Sequence, residues 1–588
     1  MPFFFNVSDF KLNQINLDLL FKEAENFFSE GNFDGSEKIL QSILDNYPNH
    51  PDALNNIATV LFAQNKKSES VVFLKKLLLQ DSENYLIHYR CAIALAELDR
   101  LEDAIFHCKE AIKINPEYLE AYEHLANIYE FDGKKNEQKE IYKKIIALDK
   151  SHEAAYLNLA NLYLNEGKYF DAIILLNEIN NLNPNLPAVQ CSFGRAYYHL
   201  DKFEEAKKHL HLSCKLNQLY SNPIYMLGII YEAEGHFEKA TTHFWKAVKN
   251  DELKLNQEKN TRFKSEDTNN HRLALASSLI RKGNYLQGFN FYESRLNIKT
   301  SILNIYNLDP DSWENIKPNS SIMILKEQGI ADQIYYSRYI DYILKISSKL
   351  TICLDERLIP IFKRTYKDKK INFLNSNPDN INSEFDYFIP LASLPKINLK
   401  NEINLNEIRP TNLIVSDEIV ISQPFKSSPV FGISWRSKSI MMGERSSIKL
   451  EEFLEIFEDI HITIINLQYG ELTKDEISTL TKFKNITFLD YSEIDKFQEI
   501  DKLISLMHIC DYVVTIDNIT AHLAGSIGIP CCVLLPKTAD FRWGLSSKNK
   551  RLYPSLKLFR NKRFDDWTDL IKDINQYIKN LNKVRDSV

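Results

Sequence analysis

Polar turns punctuate the amino-terminal part of the chain at a constant interval. Gly31, Asn65, Asp99, Gly133, Gly167, Asp201 and Gly235 follow one another at 34 positions, each in a short polar stretch such as Glu166-Gly167-Lys168-Tyr169. Seven positions ahead of each turn stands a small residue: Ala24, Ala58, Ala92, Ala126, Ala160, Gly194 and Gly228. A third series, Pro48, Ser82, Pro116, Lys150, Pro184 and Gln218, marks where one period closes and the next opens. Five positions after the turns small residues return at Ser36, Ser70, Ala104, Ala172, Ala206 and Ala240, with Gln138 as the exception. Two helices of about 12–15 residues with short turns consume roughly 34 positions, so the pattern predicts a solenoid of helix pairs. A small residue lets paired helices approach closely. Gly, Asn and Asp tolerate the left-handed backbone that ends a helix, and proline suits a helix entry where no amide bond is lost.

These three series resemble the tetratricopeptide repeat (TPR) family. The resemblance implies seven regular repeats and one irregular helix pair over residues 1–300, with a concave groove for an extended segment. The rhythm breaks after Gly235: the polar stretch Asn250–Asn270 reads as an insertion or exposed loop, and the last pair turns at Gly283.

From Ser320 short β-branched runs alternate with helical stretches. Ile322–Leu325, Leu350–Cys353, Ile371–Leu374 and Phe388–Pro390 form one series; Val430–Ser434, Ile462–Leu467, Ile486–Leu489, Tyr512–Thr515, Cys531–Leu535 and Leu556–Phe559 form another. Apolar strands separated by helices predict parallel sheets covered on both faces. The proline-bearing stretch 401–428 divides them, so the fold class is an α-solenoid followed by α/β, with two Rossmann-like doubly wound domains at 301–415 and 416–588. Ligand crevices lie at the carboxyl ends of such strands, which points to a site between the two domains.

Four loops at strand ends carry candidate chemistry. In Ile324–Tyr339, Gly329 permits a sharp turn and Asp332 falls at the start of a helix, either as its cap or as a general base facing the crevice. In Phe431–Lys438, Arg436 and Lys438 follow a strand, with Arg445 beyond them, placed either to hold phosphates or to be solvated. In Val513–Pro530 a strand runs into Asp517 and Asn518, and a helix begins near Thr520 with His522 in its first turn. Amides at a helix start beside hydroxyl and imidazole donors make an anion site, while Ala524 and Gly525 allow close packing on the sheet. The fourth is the aromatic and charged loop Leu535–Gly544.

Composition narrows the classes. A chain of 588 residues, 44% hydrophobic and 26% charged, is an ordinary globular protein large enough for several cores. A net charge of −7 argues against non-specific nucleic-acid binding. No apolar run is long enough for a spanning helix, and the Met1–Asn6 segment lacks the charged start of a signal peptide. Eight cysteines without paired metal spacing point to a reducing cytoplasm, with Cys531-Cys532 as buried strand residues.

In this order the four loops resemble TPR-linked bacterial glycosyltransferases related to the heptosyltransferases. The match covers about residues 320–570 and is strongest in Asp517–Pro530, Arg542-Trp543 and Tyr553–Arg560, extending to Leu391–Pro395 and Asn466–Gly470. The resemblance implies a GT-B fold with the acceptor on the first domain and a nucleotide sugar on the second. It assigns the base to Asp332 in the Gly329 loop and diphosphate contacts to Asp517 and His522; the candidate donor contacts beside them are Arg436, Lys438, Gln468, Asn518, Thr520, Ala521, Arg542 and Trp543. Ala331 departs from the family glycine before the aspartate. The implied reaction is an inverting hexosyl or heptosyl transfer, without cofactor or metal, from a nucleotide sugar to a protein, polysaccharide or glycolipid acceptor held by the solenoid. Asp309-Pro-Asp311 fits the Asp-x-Asp string of metal-dependent transferases but precedes the first strand and carries a proline. The competing expectation is a non-catalytic TPR scaffold with a degenerate GT-B half.

Overall fold

The computed structural model describes residues 14–257, 266–297, 301, 305–306, 308–309, 313, 315–377, 384–401, 408–421, 428–437, 446–545, 552–563 and 566–585. It divides into two compact units, Met1–Gln218 and Leu219–Val588.

The first unit is a tetratricopeptide solenoid. Its described helices run from Gln14–Ser29 to Phe203–Leu216 in antiparallel pairs, for example Pro51–Ala63 with Lys67–Gln80. Every sequence-marked turn within it has positive φ: Gly31, Asn65, Asp99, Gly133, Gly167 and Asp201. The small positions are its seams, since Ala58, Ala92, Ala126 and Ala160 are wholly buried. Ser36 Oγ donates to the Ala24 carbonyl at 2.8 Å, and Ser70 Oγ to the Ala58 carbonyl at 2.7 Å, so one small hydroxyl both packs and bonds across each pair. A Cβ at Gly194 would lie 2.4 Å from Leu210 Cγ, which explains glycine there. Gln138, the departure from the small series, is buried and takes polar company: its Nε2 lies 3.5 Å from the Tyr142 hydroxyl and from Glu130.

The second unit opens with helix pairs Ser221–Ala233/Phe237–Gln257 and Glu266–Arg281/Tyr285–Tyr292. Periodicity extends the solenoid to residue 300, whereas compactness groups these two pairs with the sheets. The cause is shared packing: Ile280, Phe289 and Leu296 join the same core as the strand residues Ile322, Ile352 and Val513. Ala240, Phe244 and Val248 of the first pair pack in turn with Leu275 and Leu279 of the second. The expected loop over 250–270 is corrected at both ends, because residues 250–257 and 266–270 are helical. Buried His271 Nδ1 meets the Asp251 carboxylate at 2.8 Å, a polar pairing that lets an outwardly polar sequence continue as helix.

Two parallel sheets follow. β1 (Ser320–Leu325), β2 (Ser347–Cys353), β3 (Ile371–Leu374) and β4 (Tyr387–Pro390) form a four-stranded sheet of order β3-β2-β1-β4. β5 (Val430–Ser434), β6 (Ile462–Asn466), β7 (Ile486–Leu489), β8 (Tyr512–Ile516), β9 (Cys531–Leu535) and β10 (Leu556–Arg560) form a second, of order β10-β9-β8-β5-β6-β7. β5, β6 and β9 are buried along their whole length, which continuous β-branched and apolar runs require. Chain order reverses at β5/β8, so a crevice is expected at the carboxyl ends of those two strands. Cys531 and Cys532 are buried in β9, and burial pushes the Cys532 thiol up to about 12, so it stays protonated. Among the described residues no helix is long and apolar enough to cross a membrane.

Candidate functional site

The site is built from the loops that leave β1, β5, β8 and β9. After β1 the chain turns at Gln328, whose φ is +61°, and not at Gly329, which is extended at φ −78°. This corrects the expected role of Gly329: it is the N-cap of helix Ile330–Tyr336, and the left-handed residue is its neighbour. Of the two roles foreseen for it, Asp332 fills that of a capping group. Its Oδ2 accepts from the Gly329 amide at 3.3 Å as a cap, while Oδ1 turns outward to the Arg542 guanidinium.

Arg542 belongs to the loop after β9. Its Nη1 donates to Asp332 and its Nε to Asp540 Oδ1 at 2.7 Å, with the Arg542 amide on that same oxygen at 2.9 Å. The next residue, Trp543, is wholly buried and donates its indole N–H to Asp517 Oδ1 at 2.7 Å. Three carboxylates thus surround one guanidinium, each drawn from a different strand end or loop. The loop backbone is fixed from two sides: Arg281 Nη2 donates to the Ala539 carbonyl at 3.2 Å, and Arg560 Nη2 to the Trp543 and Gly544 carbonyls at 2.8 and 2.7 Å.

Burial and neighbours separate these carboxyls. Burial pushes Asp517 up to about 6, helped by the charge of Asp540 and opposed by Arg542 and the Trp543 bond. Burial also raises Asp332, with Arg542 pulling the other way. Burial acts to raise Asp540 as well, but Arg542, bound to it directly, outweighs that and holds it below the ordinary range. A set of acids pushed to different proton affinities around one cation is a usual property of reactive sites.

The helix after β8 contributes less exposed groups. Its N-cap Asn518 accepts from the Thr520 amide at 3.0 Å and donates to Ser434 Oγ at 2.8 Å, tying β8 to β5 at the reversal point. Thr520, Ala521 and His522 are buried. His522 Nδ1 meets the Tyr553 hydroxyl at 3.0 Å, and its ring stacks on Trp543 with centroids 5.0 Å apart. Burial, then the Arg542 and Arg338 cations, hold this imidazole well below its ordinary value, so it is neutral at pH 7. Gln468 is buried, and its Oε1 accepts from Ser434 Oγ and from the Trp435 and Arg436 amides at 2.9–3.1 Å, shaping the turn after β5.

Asp332, Asp517, His522, Arg542 and Trp543 therefore form one set, with Asn518, Thr520, Ala521 and Gln468 as its frame. Arg436 faces elsewhere, pairing with Glu476 at 3.2 Å and donating to the Glu471 carbonyl at 2.8 Å. Lys438 and Arg445 lie outside the described residues, as do Pro310 and Asp311 of the Asp-x-Asp string and the Met1–Asn6 segment. Sequence reasoning gave no role to Asp540, Arg338, Tyr335 or Tyr553. Arg338 is clasped between the Tyr335 and Tyr553 rings, each centroid 4.8 Å away, and its Nη1 donates to the Leu552 carbonyl at 3.0 Å. Only its place in the Ile324–Tyr339 loop hinted at this, since Leu552 and Tyr553 lie more than 200 positions away.

Comparison with known proteins supports the solenoid. Residues 21–78, 119–152 and 139–192 match family descriptions of the tetratricopeptide repeat, which support a protein-interaction module. A curated relative, Protein FlbA of Caulobacter vibrioides, is 22% identical over 325 residues, 51% of this chain and 54% of that protein, so the chain spans about half the length of the curated relative it matches. A tetratricopeptide repeat protein from Parabacteroides merdae is 21% identical with TM-score 0.31, covering 39% of this chain and 91% of that one. The Pseudomonas aeruginosa pilF structure is 20% identical with TM-score 0.28, covering 34% and 91%.

Proposed function

We propose that this chain is a glycosyltransferase of GT-B type, moving a sugar from a nucleotide-sugar donor to an acceptor recruited by the solenoid. The observation that carries the reading is the meeting of Asp332, from the end of β1, with Arg542, Asp540 and Asp517 from the ends of β8 and β9. The order β7-β6-β5-β8-β9-β10 is that of a doubly wound nucleotide-binding sheet, and Ser434 and Asn518 stand at its reversal point.

In this reading the Asp332 carboxylate takes the proton of the acceptor hydroxyl. The acceptor oxygen bonds to the anomeric carbon as that carbon's bond to the diphosphate oxygen breaks. The electron pair leaves on the diphosphate, where Arg542 offsets the charge. Asp540 and the Asp517–Trp543 bond keep Arg542 and its loop in place, with His522 beneath the Trp543 indole. The test is direct. The full chain is incubated with a panel of nucleotide sugars, melting temperature is recorded, and release of nucleoside diphosphate is followed for any donor that stabilises it. No stabilisation and no release across the panel would remove the reading.

A second reading, a protein-interaction scaffold, draws on the occupancy of the reactive groups: Asp332 is engaged by Arg542, and Thr520 and His522 are buried. It expects solenoid binding to a protein partner with no donor binding at all.

A further inference from the structure

We propose that Arg542 is exchanged between two anionic partners, clasping the Asp332 carboxylate in one state of the site and the phosphates of a diphosphate ligand in the other, so that ligand binding uncovers Asp332. This rests on the transferase reading for its purpose, but its geometry and its test do not.

The frame around Arg542 is rigid where it must be and movable at one end. Arg281 and Arg560 hold the carbonyls of Ala539, Trp543 and Gly544, and Trp543 is anchored on Asp517. The Arg542 amide and Nε both rest on Asp540 Oδ1, within the same loop. The backbone amide contact survives a rotation of the Arg542 side chain. The planar guanidinium carries its Nε and Nη1 donors together, so the Nε bond to Asp540 is given up with the Nη1 bond. The Nη1 bond is different in kind, because Asp332 belongs to the helix that follows β1, in the other sheet, 210 positions away. Asp332 and Arg542 retain 21% and 15% side-chain exposure, so an anion can approach the pair from solvent.

Charge decides the direction of exchange. A guanidinium forms paired, charge-assisted bonds to phosphate as readily as to carboxylate. A diphosphate offers more negative charge than one carboxylate, so it wins Arg542 once it reaches it. Until then Asp332 competes for the same N–H groups and repels the incoming anion. Once Arg542 has left, Asp332 loses the cation that favours its charged form, and its affinity for a proton rises. The residue becomes a stronger base at the moment a donor is seated, which keeps it masked in the absence of a substrate to activate.

The experiment is calorimetric titration of the full-length protein with inorganic pyrophosphate at pH 7.5. Removing the competitor by Asp332→Asn should tighten binding about tenfold, the effect of losing one charge-assisted partner. Asp517→Asn removes an equal charge that Trp543, not Arg542, holds, and should tighten binding about twofold or less, as a screened charge effect. Arg542→Gln should weaken binding at least about tenfold. Equal tightening by the two aspartate variants would mean that Asp332 acts through charge alone and would overturn the exchange. So would wild-type affinity in Arg542→Gln, or no pyrophosphate binding by any of the proteins. Asp332→Ser, which removes the same charge and retains a helix-capping hydroxyl, replaces Asp332→Asn if that variant melts early. A protein that shows these affinities yet transfers no sugar keeps the exchange and loses the transferase reading. One that transfers sugar but shows equal tightening keeps the reading and loses the exchange.

Discussion

Each unit is stabilised internally, by contacts of different range. In the first, stabilising bonds connect neighbours in the repeat: Ser36 reaches Ala24 across 12 positions, and Arg195 reaches Asn165 at 2.6 Å across 30. In the second, the contact that defines the site joins residues 210 positions apart, and Arg281 reaches Ala539 across 258. Local, repeated contacts make a unit whose parts are interchangeable and whose stability is close to a sum over repeats. Distant contacts at strand ends make single positions irreplaceable, because no second copy of Arg542 or Asp332 exists to share their role. A substitution in the first unit should therefore cost stability in proportion to burial, and one in the second should cost chemistry out of proportion to stability.

The sharpest break of that comparison is Asp332→Asn. Under the proposed reaction, turnover should fall by roughly 10²–10⁴, the share of a positioned general base. Melting should fall only modestly, because Asn keeps the contact to the Gly329 amide while losing the charged bond to Arg542. Steady-state rates beside a melting curve check both; a variant that keeps more than about a third of the turnover removes Asp332 as base.

Next in size is Leu176→Ala in the solenoid, where Leu176 is wholly buried. The cost should be about 2–5 kcal/mol of local stability. Denaturation followed by far-ultraviolet dichroism reports it. A cost below about 1 kcal/mol would show that the seam around Leu176 relaxes to fill the space.

How much of this was legible in the sequence divides along the same line. The turn series predicted every left-handed residue of the solenoid, because position 31 and its successors are dictated by a helix end within a few residues. The strands were legible too: β3, β5, β7 and β9 fall on their expected bounds, since apolar β-branched runs flanked by polar loops admit few alternatives. The helical ends of the 250–270 stretch were not, because polar residues on a solvated helix carry no apolar period, and the Asp251–His271 bond joins two segments. Gln328 took the left-handed turn that Gly329 would have taken on composition alone. At the site the strand-end motifs singled out Asp332, Asp517 and Arg542, but not that they converge. Pairing between loops of two sheets leaves no mark in local spacing, and Asp540 and Arg338 gain their meaning only from that convergence.

A smaller effect should come from Arg338→Lys. Lysine keeps the charge but loses the flat guanidinium held between the Tyr335 and Tyr553 rings and its Nη1 bond to the Leu552 carbonyl. About 1–3 kcal/mol should be lost from the second unit, the range for a charged hydrogen bond. All five tryptophans follow residue 218, so tryptophan fluorescence isolates that unit's transition. An unchanged midpoint would show that the clasp contributes nothing.

The smallest effect is the dependence on pH, to which His107 of the first unit and Asp517 of the second contribute with opposite sign. In the solenoid, burial and then the neighbouring His88 and Lys75 charges lower His107 to about 4, against an ordinary value near 6.5. Between those limits the unfolded chain binds the proton that the folded unit refuses, so stability from His107 is present above about pH 6.5 and is lost as pH falls towards about 4. In the second unit Asp517 is raised to about 6 from an ordinary value near 3.9. Here the folded state binds the proton, so the contribution is greatest below about pH 4 and is lost as pH rises through about 6. Each slope is bounded at about 1.4 kcal/mol per pH unit for one proton. Buried His522 opposes Asp517 within its own unit, since its lowered value favours higher pH. Urea denaturation at pH 4.5, 5.5 and 6.5 separates the contributions, with dichroism weighted towards the solenoid and fluorescence reporting the second unit. His107→Gln should flatten the rise of the dichroism midpoint with pH. Asp517→Asn should make the fluorescence midpoint climb more steeply over the same range, because it removes the falling term and leaves that of His522. If Asp517→Asn leaves the fluorescence slope unchanged, the Asp517 carboxyl is ionised at ordinary pH, and the separation of proton affinities around Arg542 does not hold.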